Sequence, residues 1–166
     1  MFRRVADFGK TWEQETESTL KVLGALTDAS LGQAVTPADR TLGRLAWHLA
    51  TTLAEMMERT GLSVGGPAHD APPPPSAVAI VAAYERAAEA VARGVAAWGD
   101  ATLEVEDEMY GERWPRGVTL QALVAHQAHH RGQMTVLMRQ AGLRVPGVYG
   151  PSREEWSAFG MQPPAV

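Results

Sequence analysis

The chain has 166 residues, a formal net charge of -4 and an apolar content of 45%. We expect one folded domain over residues 1–166, because this length and apolar share can build a core without covalent cross-links. The chain has no cysteine, which excludes disulfides, iron–sulfur clusters and a catalytic thiol of its own. Its basic residues are scattered, and a sequence-independent nucleic-acid binder needs a basic stripe.

The chain shows no targeting or membrane-spanning signal. The segment from Met1 to Asp7 lacks an apolar run of signal-peptide length. No stretch approaches the roughly 20 apolar residues that cross a bilayer. The sequence therefore predicts a soluble, cytoplasmic protein that binds neither membrane nor nucleic acid.

Four segments carry the apolar spacing of amphipathic helices. The first is predicted over Phe2–Ala29. The second has two candidate starts, Thr36 with Pro37 at the first helical position, or Thr41, and it ends near Gly61.

A stiff linker separates the second and third helices. It contains Gly65-Gly66-Pro67 and then four prolines, Pro72–Pro75, and such a segment is extended rather than helical. It is long enough to cross a bundle from end to end, so the second and third helices need not form a simple hairpin. Ser76 then caps a third helix, which ends at Trp98-Gly99.

The stretch Thr102–Arg116 predicts a small β-hairpin before the last helix. Its first residues, Leu103–Glu106, alternate between apolar and acidic, and Met109-Tyr110-Gly111 is typical of a turn. The fourth helix is predicted from Thr119 to a stop at Gly142. The pattern as a whole predicts an all-α four-helix bundle, with a possible hairpin between helices three and four. An irregular tail, Val145–Val166, is expected to pack onto the bundle.

The fourth helix carries three histidines close together, His126, His129 and His130. Because a helix turns by about 100° per residue, positions 126 and 130 lie about 40° apart on one face, and both side chains can reach one metal ion. His129 also lies on this face. Spacing alone does not choose between the pairs 126/130 and 126/129, although the i,i+4 pair is the common helical chelate.

One helix cannot complete a metal site, and His48 in the second helix is the candidate third ligand. The alternative for His48 is a half-buried core histidine, and the alternative for the pair is an exposed polar face. Glu55, seven residues after His48, is a candidate general base, an acceptor of a hydrogen bond from a metal ligand, or a solvated carboxylate. His69 in the linker is either exposed or in contact with the site.

Three residues near the histidine pair have competing interpretations. Gln133 either hydrogen-bonds a metal ligand or bound water, or is a neutral helix former. Arg131 is interpreted as a surface cation. A glycine at position 132 lowers the stability of the helix. We expect glycine there because another helix backbone approaches closely.

Two segments resemble the DinB/YfiT-like superfamily. They are Leu45-Ala46-Trp47-His48-Leu49 in the second helix and His126-Gln127-Ala128-His129-His130-Arg131-Gly132-Gln133 in the fourth. The resemblance implies a four-helix bundle with an unusual helix order, often a homodimer. It also implies a divalent metal site formed by His48, His126 and His130, which leaves His129 outside the ligand set.

The metal implied by the resemblance is zinc or nickel, with iron or manganese as alternatives. Characterised relatives of this kind are thiol-dependent transferases or isomerases that use low-molecular-weight bacterial thiols. The resemblance thus implies a metal-dependent S-transferase or isomerase that acts on a small-molecule substrate. The competing hypotheses are a metal-dependent hydrolase assisted by Glu55 or Gln133, and a non-enzymatic bundle with a structural metal.

Overall fold

The protein, described here by a computed structural model over residues 1–165, contains four long helices. The helices and the two strands of one hairpin have these bounds: α1 Val5–Gly24, α2 Leu42–Glu58, α3 Ala77–Ala96, β1 Glu106–Met109, β2 Glu112–Pro115 and α4 Arg116–Gln140. Short 3₁₀ turns follow α1 and α3 and recur in the tail. The predicted all-α four-helix bundle with a small hairpin is confirmed. Val166, the last residue of the predicted domain and tail, lies outside the described residues.

The helices do not pack in the order of the sequence. Both α1 and α2 pack against α3 and α4, so that α1 and α2 occupy opposite corners of the bundle. The backbone N–H of Ala77, at the start of α3, donates to Asp28 Oδ1 just after α1, at 2.7 Å. The Val5 N–H, at the start of α1, donates to Asp100 Oδ1 just after α3, at 2.8 Å. These two contacts show that α1 and α3 are antiparallel.

The proline-rich linker returns the chain along the bundle, as predicted. Near the start of α2, the carbonyl of Ala71 accepts hydrogen bonds from Arg44 Nη1 at 2.9 Å and Trp47 Nε1 at 3.0 Å. At the other end, Leu62, which follows α2, packs against Gly94 near the end of α3. Consequently α2 and α3 are parallel neighbours, and the linker spans the length that separates their connected ends.

The structure shows which of the two candidate residues, Thr36 or Thr41, caps α2. Thr41 Oγ1 accepts a hydrogen bond from the Arg44 N–H at 3.1 Å and caps the helix. The alternative start at Thr36 is wrong, because Asp39 Oδ2 accepts from the Thr36 N–H and hydroxyl and closes a local turn instead. Short polar side chains form such turns as readily as they cap helices.

The hairpin turns at Tyr110-Gly111, where both residues have positive φ, 55° and 87°. Two central residues of this kind make the type I′ turn that suits the twist of a two-residue hairpin. The predicted strand at Leu103 is wrong, because Leu103 lies in a 3₁₀ turn, where its side chain is buried in the core. The hairpin register, Met109 opposite Glu112, buries Met109 and leaves Tyr110 at the tip.

Buried apolar side chains from all four helices form one continuous cluster.

The predicted reason for Gly132 is wrong, because a Cβ added there would meet no atom within 4 Å. Helix α1 is shorter than predicted, and α4 begins three residues before Thr119. Within residues 1–165, no helix combines the length and apolar character that a bilayer crossing requires.

Candidate metal centre

Three histidines converge between α2 and α4. His48 lies on α2, and His126 and His130 lie one turn apart on α4. His126 Nε2 is 3.2 Å from His48 Nε2 and 3.1 Å from His130 Nε2. Within residues 1–165, these three form the only group of three or more His, Asp or Glu side chains whose ligand atoms lie within 4.8 Å of one another. We call this group the triad.

A second contact beside the triad holds the two helices in this register. Gln127, which follows His126, is fully buried, and its Nε2 donates to the carbonyl of Leu49 at 3.4 Å. Leu49 in turn follows His48 in α2. Gln127 and Leu49 are therefore each next in sequence to a triad histidine. Nothing in the sequence marks Gln127 for this role, because a glutamine inside a polar helical segment usually faces water.

The spacing of the three nitrogen atoms fits a metal ion. Ligands about 2.0–2.1 Å from a tetrahedral ion lie about 3.3–3.4 Å from one another. The observed separations of 3.1 and 3.2 Å are close to that value. Hydrogen bonds alone do not account for the cluster, since a neutral imidazole has a single N–H and one lone pair to share among these contacts. The triad could hold one divalent ion.

Gln133 orients one of the three rings. Its Oε1 lies 2.7 Å from His130 Nδ1. Because a carbonyl oxygen can only accept, the proton of His130 resides on Nδ1 and the lone pair of Nε2 faces the triad. His126 has no such support, because its Nδ1 is buried and has no hydrogen-bond partner among the described residues.

Burial keeps the triad uncharged. Desolvation, followed by the neighbouring histidines, lowers the pKa of His48 from 6.5 to about 3. The same two causes lower the pKa of His126 from 6.5 to about 4. The pKa of His130 is also lowered, mainly by burial. Neutral imidazoles present the lone pairs that a metal ion requires, so the triad is ready to bind at neutral pH.

The other two histidines lie near the triad without joining it. His129 is exposed, with its ring centroid 4.8 Å from that of His130. His69 is exposed in the linker, with its ring centroid 6.0 Å from that of His48. The helix spacing left the pairs 126/130 and 126/129 open, and it is His130 that turns towards His48.

Comparison with known proteins agrees with this architecture. Residues 1–164 match the model of the DinB family. The chain belongs to the DinB family. It is 46% identical over 167 residues to the protein YrdA of Bacillus subtilis (strain 168), with all of both chains covered. The crystal structure of a DinB-like protein from Bacillus cereus ATCC 10987 superposes with a TM-score of 0.86 at 44% identity, covering 90% of this chain and 100% of that one.

Two cavities flank the triad of this DinB protein. The smaller, of about 390 Å³, has His48 and His126 in its wall together with Glu55, Tyr110 and Trp114. We call it the hairpin cavity, because Tyr110 and Trp114 belong to the hairpin. The larger, of about 700 Å³, is lined by these residues: Val35, Asp39, Arg40, Leu45, His129, His130, Gln133, Val136 and Leu137. We call it the Arg40 cavity.

The hairpin cavity places Glu55 beside the triad. Glu55 Oε2 accepts a hydrogen bond from the Tyr110 hydroxyl at 2.7 Å, and Oε1 accepts from Arg59 Nε at 3.2 Å. The Arg59 guanidinium also lies over the Tyr110 ring, 4.7 Å from its centroid. Burial and the Glu55 carboxylate raise the pKa of Tyr110, so its hydroxyl remains a donor. Glu55 is therefore held in place rather than freely solvated.

Arg131 belongs to a different cluster, on the α1 side of α4. It is 1% exposed, so its interpretation as a surface cation is wrong. Its Nη1 donates to Thr19 Oγ1 at 2.8 Å and to the Glu15 carbonyl at 3.1 Å, and its Nη2 pairs with the Glu15 carboxylate. The Tyr149 hydroxyl, from the tail, donates to the same carboxylate at 2.9 Å. We call these four residues the Arg131 cluster.

Proposed function

We propose that this DinB protein is a metal-dependent S-transferase or isomerase that activates a low-molecular-weight thiol. The observation that carries the proposal is the convergence of three imidazoles, with His126 Nε2 3.2 Å from His48 Nε2 and 3.1 Å from His130 Nε2. Three protein ligands leave at least one coordination position open, which is typical of catalytic rather than structural sites. Imidazole ligands suit zinc and nickel, with iron or manganese as alternatives.

The ion, when bound, would supply the positive charge that lowers the pKa of an incoming thiol. The chain has no cysteine, so the thiol comes from outside. His48, His126 and His130 would hold the ion, and the contact with Gln133 would keep His130 in the required tautomer.

Glu55 is the proposed proton acceptor, because it shares the wall of the hairpin cavity with His48 and His126. The S–H bond breaks, and its proton passes to the Glu55 carboxylate. The sulfur electron pair forms a bond to an electrophilic carbon of the second substrate. In a transfer, the bond from that carbon to its leaving group breaks, and the leaving group departs with the electron pair.

The hairpin cavity has the character of a site for the electrophile. Apart from Glu55 and the histidines, its wall includes Met56, Trp114 and Ala122. Apolar and aromatic walls of this kind bind the body of a small organic molecule. The hairpin tip lies against Glu55, because the Tyr110 hydroxyl donates to Glu55 Oε2.

The test is turnover of chlorodinitrobenzene by zinc-loaded and nickel-loaded protein, with and without 2-mercaptoethanol. We expect release of chloride only when both metal and thiol are present. Glu55→Gln should lower the rate by about 100-fold, as loss of a general base does. The exposed Glu58→Gln, one turn along α2, is the matched control and should leave the rate unchanged.

Two outcomes would contradict the proposal. Ester hydrolysis by the metal-loaded protein without thiol would favour the hydrolase. A metal that only raises the melting temperature, with no turnover of any probe, would favour a structural role. A homodimer, a cytoplasmic location and the lack of nucleic-acid or membrane partners remain predictions; light scattering on the eluting protein tests the first.

A further inference from the structure

The Arg40 cavity carries a cation that forms no ion pair within the described part of the chain. Arg40 lies just before the Thr41 cap of α2, is exposed and lines the cavity with His129, His130 and Gln133. Among the ion pairs of residues 1–165, none includes Arg40. The adjacent carboxylate, Asp39, accepts from Thr36 instead, at 3.1 and 2.8 Å. The guanidinium is therefore available to a ligand.

Arg40 also acts on the triad electrostatically. It lines the same cavity as His130, so its positive charge faces one side of the triad. A guanidinium this near a site for a dication is unfavourable on its own, because like charges repel strongly where water is partly excluded. An anionic group lying between the two positive charges would convert this repulsion into attraction.

The remaining wall of the Arg40 cavity indicates the body of the ligand. Val35 and Val136 are 62% and 57% exposed, although both line this cavity. Leu45 and Leu137 form its buried apolar side. A guanidinium fork binds a planar carboxylate through two parallel hydrogen bonds. The cavity thus combines a carboxylate partner with apolar walls that suit a short aliphatic chain.

We propose that the Arg40 cavity binds the thiol co-substrate, and that this thiol bears a carboxylate that pairs with Arg40. The carboxylate end of the thiol would occupy the Arg40 cavity, and its sulfur would reach the triad, where His48 and His126 share the wall of the hairpin cavity with Glu55 and the electrophile. Arg40 is thereby the residue that selects an anionic thiol over a neutral or cationic one. This inference rests on the proposed function, since it names the class of thiol for the same site.

The experiment uses full-length protein loaded with cobalt(II), in which sulfur binding produces a charge-transfer absorption band. Three thiols of similar size are titrated: 3-mercaptopropionate, 2-mercaptoethanol and cysteamine. Because their thiol pKa values differ, the quantity compared is each thiol's change in dissociation constant between parent and variant. We expect Arg40→Gln to weaken 3-mercaptopropionate by about tenfold or more, as loss of a charge-assisted contact does. 2-Mercaptoethanol should be nearly unaffected and cysteamine unchanged or tighter.

Two further variants keep the test specific. Arg40→Lys retains the charge without the planar fork and should recover part of the lost affinity. Arg86→Gln removes another exposed arginine, on α3, and should change none of the three constants. Each variant should also retain the parent's cobalt content and circular dichroism spectrum.

The outcomes separate this inference from the proposed function. If Arg40→Gln weakens all three thiols equally, or lowers the cobalt content, Arg40 does not select an anion and the inference is overturned. If the parent gives no charge-transfer band with any thiol, the proposed function itself fails, and the inference fails with it. Selective weakening of 3-mercaptopropionate supports both.

Discussion

Two consecutive residues of α4, His130 and Arg131, face different neighbouring helices, α2 and α1, and belong to clusters of opposite character. Both side chains are buried, at 7% and 1% exposure. In the Arg131 cluster both terminal nitrogens of the guanidinium and both carboxylate oxygens of Glu15 have partners. In the triad, three nitrogen atoms of the same kind face one another instead.

This difference distinguishes a structural polar cluster from a ligand site. Buried polar groups normally find hydrogen-bond partners, because an unpaired one costs about 1–3 kcal/mol. The Arg131 cluster follows this rule at every atom named above, with Arg131 Nε alone left buried without a partner among the described residues, and it joins α1, α4 and the tail. The triad departs from it, and a shared ion is the partner that would complete it.

The largest effect should come from breaking the Arg131 cluster. Arg131→Leu leaves the Glu15 carboxylate buried, since Glu15 is 7% exposed, and removal of one partner of a buried ion pair costs about 3–5 kcal/mol. We expect the free energy of unfolding, measured in urea, to fall by that amount. The metal content of the folded fraction should stay equal to that of the parent.

The matched control removes both charges. Glu15→Leu/Arg131→Leu should be less destabilised than Arg131→Leu alone, because no unpaired charge remains buried. An Arg131→Leu protein of unchanged stability that loses metal would reverse the roles assigned to the two clusters.

A smaller effect is expected from replacing Gln133, whose side chain is hydrogen-bonded to His130 of the triad. Gln133→Leu removes the acceptor for His130 Nδ1, and loss of such a group lowers metal affinity by about 10- to 100-fold. Competition with a chromophoric zinc chelator measures the change. Gln133→Glu, which keeps an acceptor, should restore most of the affinity, and unchanged affinity in Gln133→Leu would show that the contact does not orient the ligand.

The smallest effect concerns the tail, away from both clusters. Arg139 Nη2 donates to Glu154 Oε2 at 3.1 Å, and this hydrogen bond lowers the pKa of Glu154 from 4.5 to about 2. A carboxyl with a depressed folded-state pKa stabilises the fold above pH 4.5 and loses that contribution as the pH falls towards 2. Because the pair is near the surface, the contribution is about 0.2–1 kcal/mol.

Unfolding of the parent and of Glu154→Gln, compared from pH 7 to pH 2, checks this. The parent should be slightly more stable at pH 7, and the two should converge at the acid end. A difference that persists unchanged at pH 2 would mean that the Glu154 charge is not its source.

The sequence predicted the parts of this fold that depend on local pattern. Apolar spacing located the four helices, and Met109-Tyr110-Gly111 located the hairpin turn. The proline-rich linker correctly indicated that helices two and three are not a simple hairpin. The helix face marked His126 with either His129 or His130, and His48 was the candidate from a second helix. The family resemblance then selected His130 over His129.

What the sequence did not predict depends on contacts between distant segments. Arg131 is separated from Glu15 by 116 positions and from Tyr149 by 18, and nothing local marks it as buried. The same holds for Glu55 and Tyr110, which are 55 positions apart. The start at Thr36 failed for a local reason, because its side chain and that of Asp39 close a turn without a helix.

The most direct test of the central claim is elemental analysis of the purified, untagged protein beside a His48→Ala/His130→Ala variant, with His129→Ala as the control. Our account predicts about one divalent ion per chain in the parent and in His129→Ala, and none in the double variant, because one remaining imidazole cannot hold the ion. A parent that takes up no metal even after incubation with zinc or nickel, or a double variant that keeps it, would contradict the account.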